Sequence, residues 1–272
     1  MQTTEEIEGQ GFYSFRADAN ALGGFLEEPT RVTIPTLTPV SLPAVGGFTT
    51  ARSEAFHLDD IVSCRSAYTR VSGHEVAGGG ISILSTAVIE GLNLLEVVQA
   101  ERIVAQLSIL ISRDGSALRV CTAGSQFEGL RLGGHRRTPR FSTALQNAEQ
   151  GTTGQLQGAT ENEIRTIGNG QATRITTAFQ NRYNATWATN RSQWLNGQRR
   201  TGTGCSLVDG FEEAHLHGCG HIVEIPGFGR IILGELFVTP YSAQLVALRA
   251  ELGCPVKGKI SINCTGGGGV HD

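Results

Sequence analysis

A chain of 272 residues, 39% of them hydrophobic, is long enough to close one large core or two small ones. Its formal charge of −3 gives no indication of nucleic acid or of an anionic membrane surface as a partner. The 36 glycines favour a turn-rich β protein over a helical bundle, and no apolar run reaches the roughly 18 residues of a membrane-spanning helix.

Residues 1–10 are polar and acidic and read as a leader. From Gly11 to Asn20, Tyr13, Phe15 and Ala17 alternate with Ser14, Arg16 and Asp18, the period of a strand. Prolines at 29, 35, 39 and 43 then forbid a helix and a central strand. This stretch is expected to run as an extended edge with Val32, Ile34, Leu37, Val40 and Leu42 against the core. A further strand is expected within Glu54–Tyr68.

The block Gly80–Gly134 contains one phrase twice, Ile89-Glu90-Gly91-Leu92-Asn93-Leu94 and Phe127-Glu128-Gly129-Leu130-Arg131-Leu132. The stretch Ile81–Ile111 fits a helix, because Leu94, Val97, Val98, Glu101, Val104 and Ala105 recur at helical spacing. It fits equally a set of short β-branched strands divided at Glu-Gly and at Gln-Ala-Glu. The second copy, bounded by Gly124 and Gly133, is too short for a helix, and the strand reading is taken for both.

Composition changes at Gly134. Residues 135–203 are rich in Gln, Asn, Thr and Arg, and helix punctuation appears there. Ser142 is placed to cap a helix Thr143–Gln150, and Thr160 with Glu163 has capping-box spacing. Ile164, Ile167, Ile175, Phe179, Tyr183, Trp187 and Trp194 continue at helical intervals up to Asn196-Gly197. Strand patterns resume at Cys205, with elements expected over Gly220–Glu235, Glu235–Leu252 and Lys257–Asn263, and Gly266–Gly269 reads as a flexible tail. The fold class is therefore mainly β, a sandwich-like or short-strand solenoid core, with an α-helical insertion. Residues 1–134 form the first part of the core, 135–203 the polar insertion and 204–272 the second part, as one domain.

Six cysteines, Cys64, Cys121, Cys205, Cys219, Cys254 and Cys264, form no Cys-x-x-Cys pair. Even number and wide spacing favour disulfides in an oxidising compartment, with Cys205–Cys219, Cys254–Cys264 and Cys64–Cys121 preferred among fifteen pairings; the competing reading is a cytosolic protein with six reduced cysteines. Met1 is followed by Gln-Thr-Thr-Glu-Glu and not by a secretory leader, so an exported protein is represented here by its mature form.

The densest set of metal-ligand types is His215, His217 and His221 beside Cys219, at spacings that suit zinc or copper if a hairpin folds His221 back. The competing reading is a glycine-rich hairpin with surface histidines, and no other cofactor is implied. Glu212 and Glu213, with Asp209, offer carboxylates, but neighbours on a strand point to opposite faces and do not converge. Arg136, Arg137 and Arg140, with Arg199 and Arg200, form basic clusters suited to an acidic glycan or partner, or simply to solvent. Tyr183, Trp187 and Trp194 could stack on sugar rings, although their stripe also fits packing or a protein contact. Asn184, Asn190 and Asn263 head glycosylation sequons. No phosphate loop, nucleophile elbow or His-Glu-x-x-His motif occurs.

Gly11-Phe-Tyr-Ser-Phe-Arg-Ala-Asp-Ala, the Pro-rich segment, Ile89-Glu-Gly-Leu-Asn-Leu-Leu with Ala100-Glu-Arg-Ile-Val-Ala, Phe127-Glu-Gly-Leu-Arg-Leu-Gly and Gly229-Arg-Ile-Ile-Leu-Gly-Glu-Leu together resemble the secreted bacterial surface proteins called choice-of-anchor proteins. The resemblance spans 11–134 and 222–264. The polar insertion departs from it, and no sorting anchor follows the tail. It implies an exported, mostly β, non-enzymatic cell-surface protein and carries over no catalytic residue. The expected function is a secreted structural or adhesive protein held by disulfides, partnered by other copies of itself or by cell-surface components, and able to form an extracellular filament by strand or edge pairing. The alternative is a glycan- or metal-binding module using the histidine cluster or the Trp187/Trp194 helix.

Overall fold

A computed structural model of the chain describes residues 13–77, 80–112, 117–146, 149–150, 156–179, 202–213, 217–253 and 255–271. Two antiparallel sheets face each other as a sandwich. Sheet A is built from β1 (Tyr13–Glu28), β2 (Val32–Leu37), β8 (Thr203–Ser206), β9 (Ile222–Ile225), β10 (Gly229–Thr239), β11 (Ser242–Leu252) and β12 (Lys257–His271). Its order is β2–β1–β12–β11–β10–β9, with β8 continuing the position of β9 along β10. Sheet B takes β3 (Gly47–Ser53), β4 (Ser66–Val76), β5 (Gly80–Leu94), β6 (Val98–Ile111) and β7 (Leu118–Cys121). β3, β4, β5 and β6 are adjacent in that order, and the far edge of β6 is shared by β7, Gln126–Glu128 and Arg131–Leu132. The first strands of the chain thus join sheet A with the last ones, while 47–132 supplies most of sheet B. Of the two core types the sequence allows, the sandwich is the one formed.

The stretch Ile81–Ile111 is neither a helix nor a set of short strands. It is one long hairpin that turns at Leu95–Glu96, both residues left-handed (φ 52° and 57°), where Asn93 Oδ1 accepts from the Glu96 amide at 3.0 Å. Its inward face, Ile81, Ile83, Ala87 and Ile89 with Ile103, Ala105, Leu107, Ile109 and Ile111, is fully buried or nearly so, and each isoleucine or leucine in it contributes about 1.5–3 kcal/mol by leaving water.

The two copies of the repeated phrase flank β6 in the same register. Ile89 and Phe127 both pair with Ile103, Glu90 and Glu128 with Arg102, and Leu94 and Leu132 with Val98. Gly91 and Gly129 have nearly the same left-handed conformation, φ 62° and 61°. At their level the Gly91–Glu101 pair drops out of the ladder, and the buried positions shift from Ile89 to Leu92 on one strand and from Ile103 to Ala100 on the other. One residue on each strand is left out of the pairing with the register unchanged, and the skipped pair resets which side chains face the core. Sheet A carries a matching line at Gly234 (φ 60°) and Asn263 (φ 50°), where Gly234–Ala247 is skipped. The two lines meet across the sandwich: Asn263 Nδ2 donates to the Ile103 carbonyl at 2.7 Å, and nearby Ser85 Oγ donates to Gly266 O at 3.1 Å.

Gly266–Gly269 are not a flexible tail. They lie in the middle of sheet A, paired to β1 on one side and β11 on the other. The reason is steric. A Cβ at Gly267 would lie 3.0 Å from Ile83 and 3.1 Å from Ile109, and one at Gly269 would collide with Ile81. Glycines here let the isoleucines of sheet B press against the backbone of sheet A.

The Pro-rich segment forms the edge expected, with Ile34, Val40 and Leu42 buried and Pro35 inside β2. Glu54–Tyr68 is broken into Phe56–Leu58, Val62–Cys64 and the start of β4, because the chain turns at Asp59 (φ 43°). The helix expected at Thr143–Gln150 is a single turn, Thr143–Gln146, and Glu149–Gln150 pairs instead with Leu156–Gln157. The capping box is present. Thr160 N and Oγ1 both donate to Glu163 Oε2 (2.7 and 2.8 Å), opening α1 (Glu161–Phe179). The buried stripe of α1, Ile164, Gly168, Gln171, Ala172, Ile175 and Phe179, lies over β8 and against Ile222 and Ile232 on the outer face of sheet A. Gln171 fixes it there by accepting from the Ser206 amide at 2.7 Å and donating to the Ser206 carbonyl at 2.9 Å.

Candidate functional surfaces

Of the three histidines only His217 and His221 are among the described residues, and they are not grouped with other metal-ligand side chains. His215 lies outside the described residues, His217 is exposed at the rim of a cavity of about 660 Å³, and His221 is buried at 1% exposure. His217 and His221 belong to opposite ends of the hairpin Gly218–Ile225, the carbonyl of one receiving the Glu224 amide and that of the other the Leu233 amide. Among the described residues no three His, Cys, Asp or Glu side chains are grouped to hold a metal. The cavity beside His217 instead collects Lys257, Lys259 and Arg230 with Glu27, Glu224 and Glu251. Here Arg230 bridges Glu224 (3.1 Å) and Glu251 (3.8 Å) in a ladder of alternating sign across neighbouring strands.

The preferred pairs Cys64–Cys121 and Cys205–Cys219 are not formed, and Cys254, the preferred partner of Cys264, lies outside the described residues. Cys64 and Cys121 sit beyond opposite edges of the β5–β6 hairpin, which puts about 14 Å of sheet between them. Cys205 points into the core beside Leu236, whereas Cys219 packs on the other face of sheet A under α1. Both separations exceed the reach of a disulfide, about 7 Å between Cα atoms. Burial pushes the Cys264 thiol up to about 11, with Glu235 and Asp18 adding to the effect and Arg249 opposing it.

Glu212, Glu213 and Asp209 act separately. Glu213 takes the Thr138 amide and hydroxyl, both at 2.9 Å, and those bonds hold its carboxyl below the ordinary value. Asp209 Oδ1 receives Gln171 (3.0 Å) and Arg174 (3.2 Å) and so helps seat α1. Arg136 is exposed on a two-residue edge strand, and the amide of Arg137 donates to the Leu130 carbonyl at 2.8 Å. Their expected companions Arg199 and Arg200, the aromatics Tyr183, Trp187 and Trp194, and the sequons at Asn184 and Asn190 lie outside the described residues. Asn263 is fully buried and bonded across the core, so its sequon cannot be an acceptor in the folded protein.

A surface not anticipated from the sequence is the outer edge of β3. This seven-residue strand pairs only with β4 among the described residues. Phe48 on it is 68% exposed and Val45, just before it, 90%, two of the four exposed large hydrophobics among the described residues. Phe48 has the Arg70 guanidinium 6.0 Å from its ring centroid. Three other edges among the described residues are blunted: β2 contains Pro35, and both Gly218–Cys219 and His135–Arg136 are two residues long. The Gly46-Gly47 turn followed by Phe48-Thr-Thr was a legible strand signal.

A family model described as a domain of unknown function (DUF8256) matches residues 12–239, from the start of β1 to the end of β10. The chain belongs to this family. No curated protein and no solved structure matches it. The DUF8256 match stops before β11 and β12, the two strands that complete the middle of sheet A in this member.

Proposed function

We propose that this DUF8256 protein is a non-enzymatic structural or adhesive protein that joins to other copies of itself through the free edge of β3. The observation that carries the reading is that edge: a full-length strand, without proline, with an open row of backbone donors and acceptors and an exposed aromatic. Antiparallel pairing of two such edges about Thr50 sets Arg52 of each copy opposite Phe48 of the other and Thr50 opposite Thr50. Parallel pairing would set Arg52 against Arg52, which repels. The antiparallel arrangement therefore satisfies the aromatic and the cation together and fuses two sheets B into one. Such a contact is two-fold and closes after two copies, so a filament requires a second, different contact. The resemblance to choice-of-anchor surface proteins favours the same class of role and an extracellular setting.

The test is a Thr50→Pro variant, which removes one backbone donor and places a ring in the path of the incoming strand. The reading predicts that self-association is lost while thermal stability falls little, because the edge is exposed. Unchanged association in a folded variant would refute it.

A further inference from the structure

We infer that a second surface, the groove over the tetraglycine of β12, is a saccharide-binding site. It lies on the outer face of sheet A, holds about 440 Å³ and is independent of the β3 edge. Arg16 and Asp18 of β1 form one wall. Ser242 and Gln244 of β11 form the other, in register with them through Gly268 and Gly266. Two strand spacings, about 10 Å, separate the walls. The floor is bare backbone, and Tyr241, 61% exposed, stands at the hairpin turn that closes one end.

Two observations point to a ligand. First, Gly266 is not demanded by the fold. Its φ is not left-handed, and a Cβ there would make only ordinary contacts, 3.4 Å to Asp18 Oδ1 and 3.7 Å to the Ala243 carbonyl. Gly267 and Gly269 face the packed isoleucines, and a side chain at Gly268 would strike Tyr241 O, so those three are explained by packing and Gly266 is not. What the missing side chain leaves is room beside the Asp18 carboxylate, over a strip of backbone that its neighbours shield. Second, three of the four wall side chains are unspent, only Ser242 Oγ being engaged, with Thr239 Oγ1 at 2.8 Å. Elsewhere on this face several charges pair with each other, as in Arg249–Glu235 at 2.9 Å and Arg230–Glu224 at 3.1 Å. Among the described residues Arg16, Asp18 and Gln244 make no side-chain hydrogen bond or ion pair, although Arg16 and Asp18 are two residues apart on the same face.

The chemistry selects the ligand class. Arg16 and Asp18 cancel in charge, so an anion meets Asp18 and a cation meets Arg16, each unfavourably. A neutral polyol uses both, its hydroxyls donating to Asp18 and accepting from Arg16 while Gln244 does either. The exposed Tyr241 ring offers an apolar face for the C–H side of a pyranose, the usual division between an apolar wall and a few placed polar groups.

The test titrates the ¹⁵N-labelled full chain with methyl glycosides of glucose, galactose, mannose and N-acetylglucosamine and with their α- and β-linked disaccharides. The proposal predicts saturable shifts of the Gly266–Gly269 and Tyr241 amides with at least one probe. Tyr241→Ala should weaken that binding by about tenfold or more, and Gly266→Val, which fills the floor, should abolish it with the melting temperature retained. If Gly266→Val does not fold, Tyr241→Ala and Gln244→Ala decide, both being exposed positions. No saturable shift at these glycines with any probe, shifts confined to another surface, or full affinity in the folded variants would each overturn it.

Discussion

Glu90 and Glu128 meet the same residue, Arg102, from opposite sides of β6, at 3.9 and 3.5 Å. The repeated Glu-Gly-Leu phrase is therefore a spatial repeat: two segments packed on one central strand, each bending at its glycine. The three charged groups are 39–48% exposed at their side chains, where an ion pair contributes about 0–1 kcal/mol. The glycines carry the stricter requirement.

This ranking is directly checkable. Gly91→Ala and Gly129→Ala each force a side chain into the left-handed region, a cost of about 1–2 kcal/mol. At Gly129 the new Cβ would also lie 2.5 Å from Glu101 Cγ. Urea denaturation should show both variants losing more stability than Glu90→Gln or Glu128→Gln, which we expect to cost under about 1 kcal/mol. The reverse order would mean that the phrase is repeated for its charges.

Gly269→Ala distinguishes a buried central strand from a loose tail. Its methyl is directed at Ile81 in the core, and overpacking of this kind costs about 1–3 kcal/mol. A melting temperature equal to that of the unaltered chain would contradict the position given to β12.

Cys264 should resist alkylation near neutral pH and contribute a pH-dependent term in the alkaline range. Its thiol is raised from 9.0 to about 11 in the folded state, so between those values the unfolded chain loses a proton that the folded one keeps. Stability then falls as pH rises from about 9 to 11, by up to about 3 kcal/mol. The unfolding free energy of Cys264→Ala should be flatter over that interval, and an identical pH dependence in the variant would refute the assignment.

Thr160→Ala removes the N-cap of α1 and should cost about 1 kcal/mol by chemical denaturation. The bonds from Thr160 hold the Glu163 carboxyl below its ordinary value. Their stabilising effect is present above the unfolded value of 4.5 and fades as pH falls below it, so the difference between Thr160→Ala and the unaltered chain should narrow in acid.

Local rules succeeded where they acted alone. The capping box at Thr160 and Glu163 and the alternation of Phe15 and Ala17 needed no tertiary knowledge. Non-local geometry was hidden. Nothing near Leu95–Glu96 announces a hairpin turn, because neither residue is a glycine or asparagine and the bend is held by Asn93 and by the Leu95 amide donating to Ile61. Gly266–Gly269 read as flexible because glycine's conformational freedom is visible in sequence, whereas the isoleucines that require its small size come from residues 81–109. The cysteines invited pairing by their spacing in sequence, which says nothing about the two strands lying between Cys64 and Cys121. The β3 edge and the Arg16–Asp18 groove depend on what is left unpaired, a property of the assembled sheets.

The most direct test of the central claim is the mass of the purified full chain by sedimentation equilibrium over a wide concentration range. Pairing through β3 predicts a reversible rise from the 28.9 kDa monomer to twice that mass, and its absence in Thr50→Pro. A protein that stays at the monomer mass at the highest concentration reached, or a Thr50→Pro variant that associates as the unaltered chain does, would contradict it.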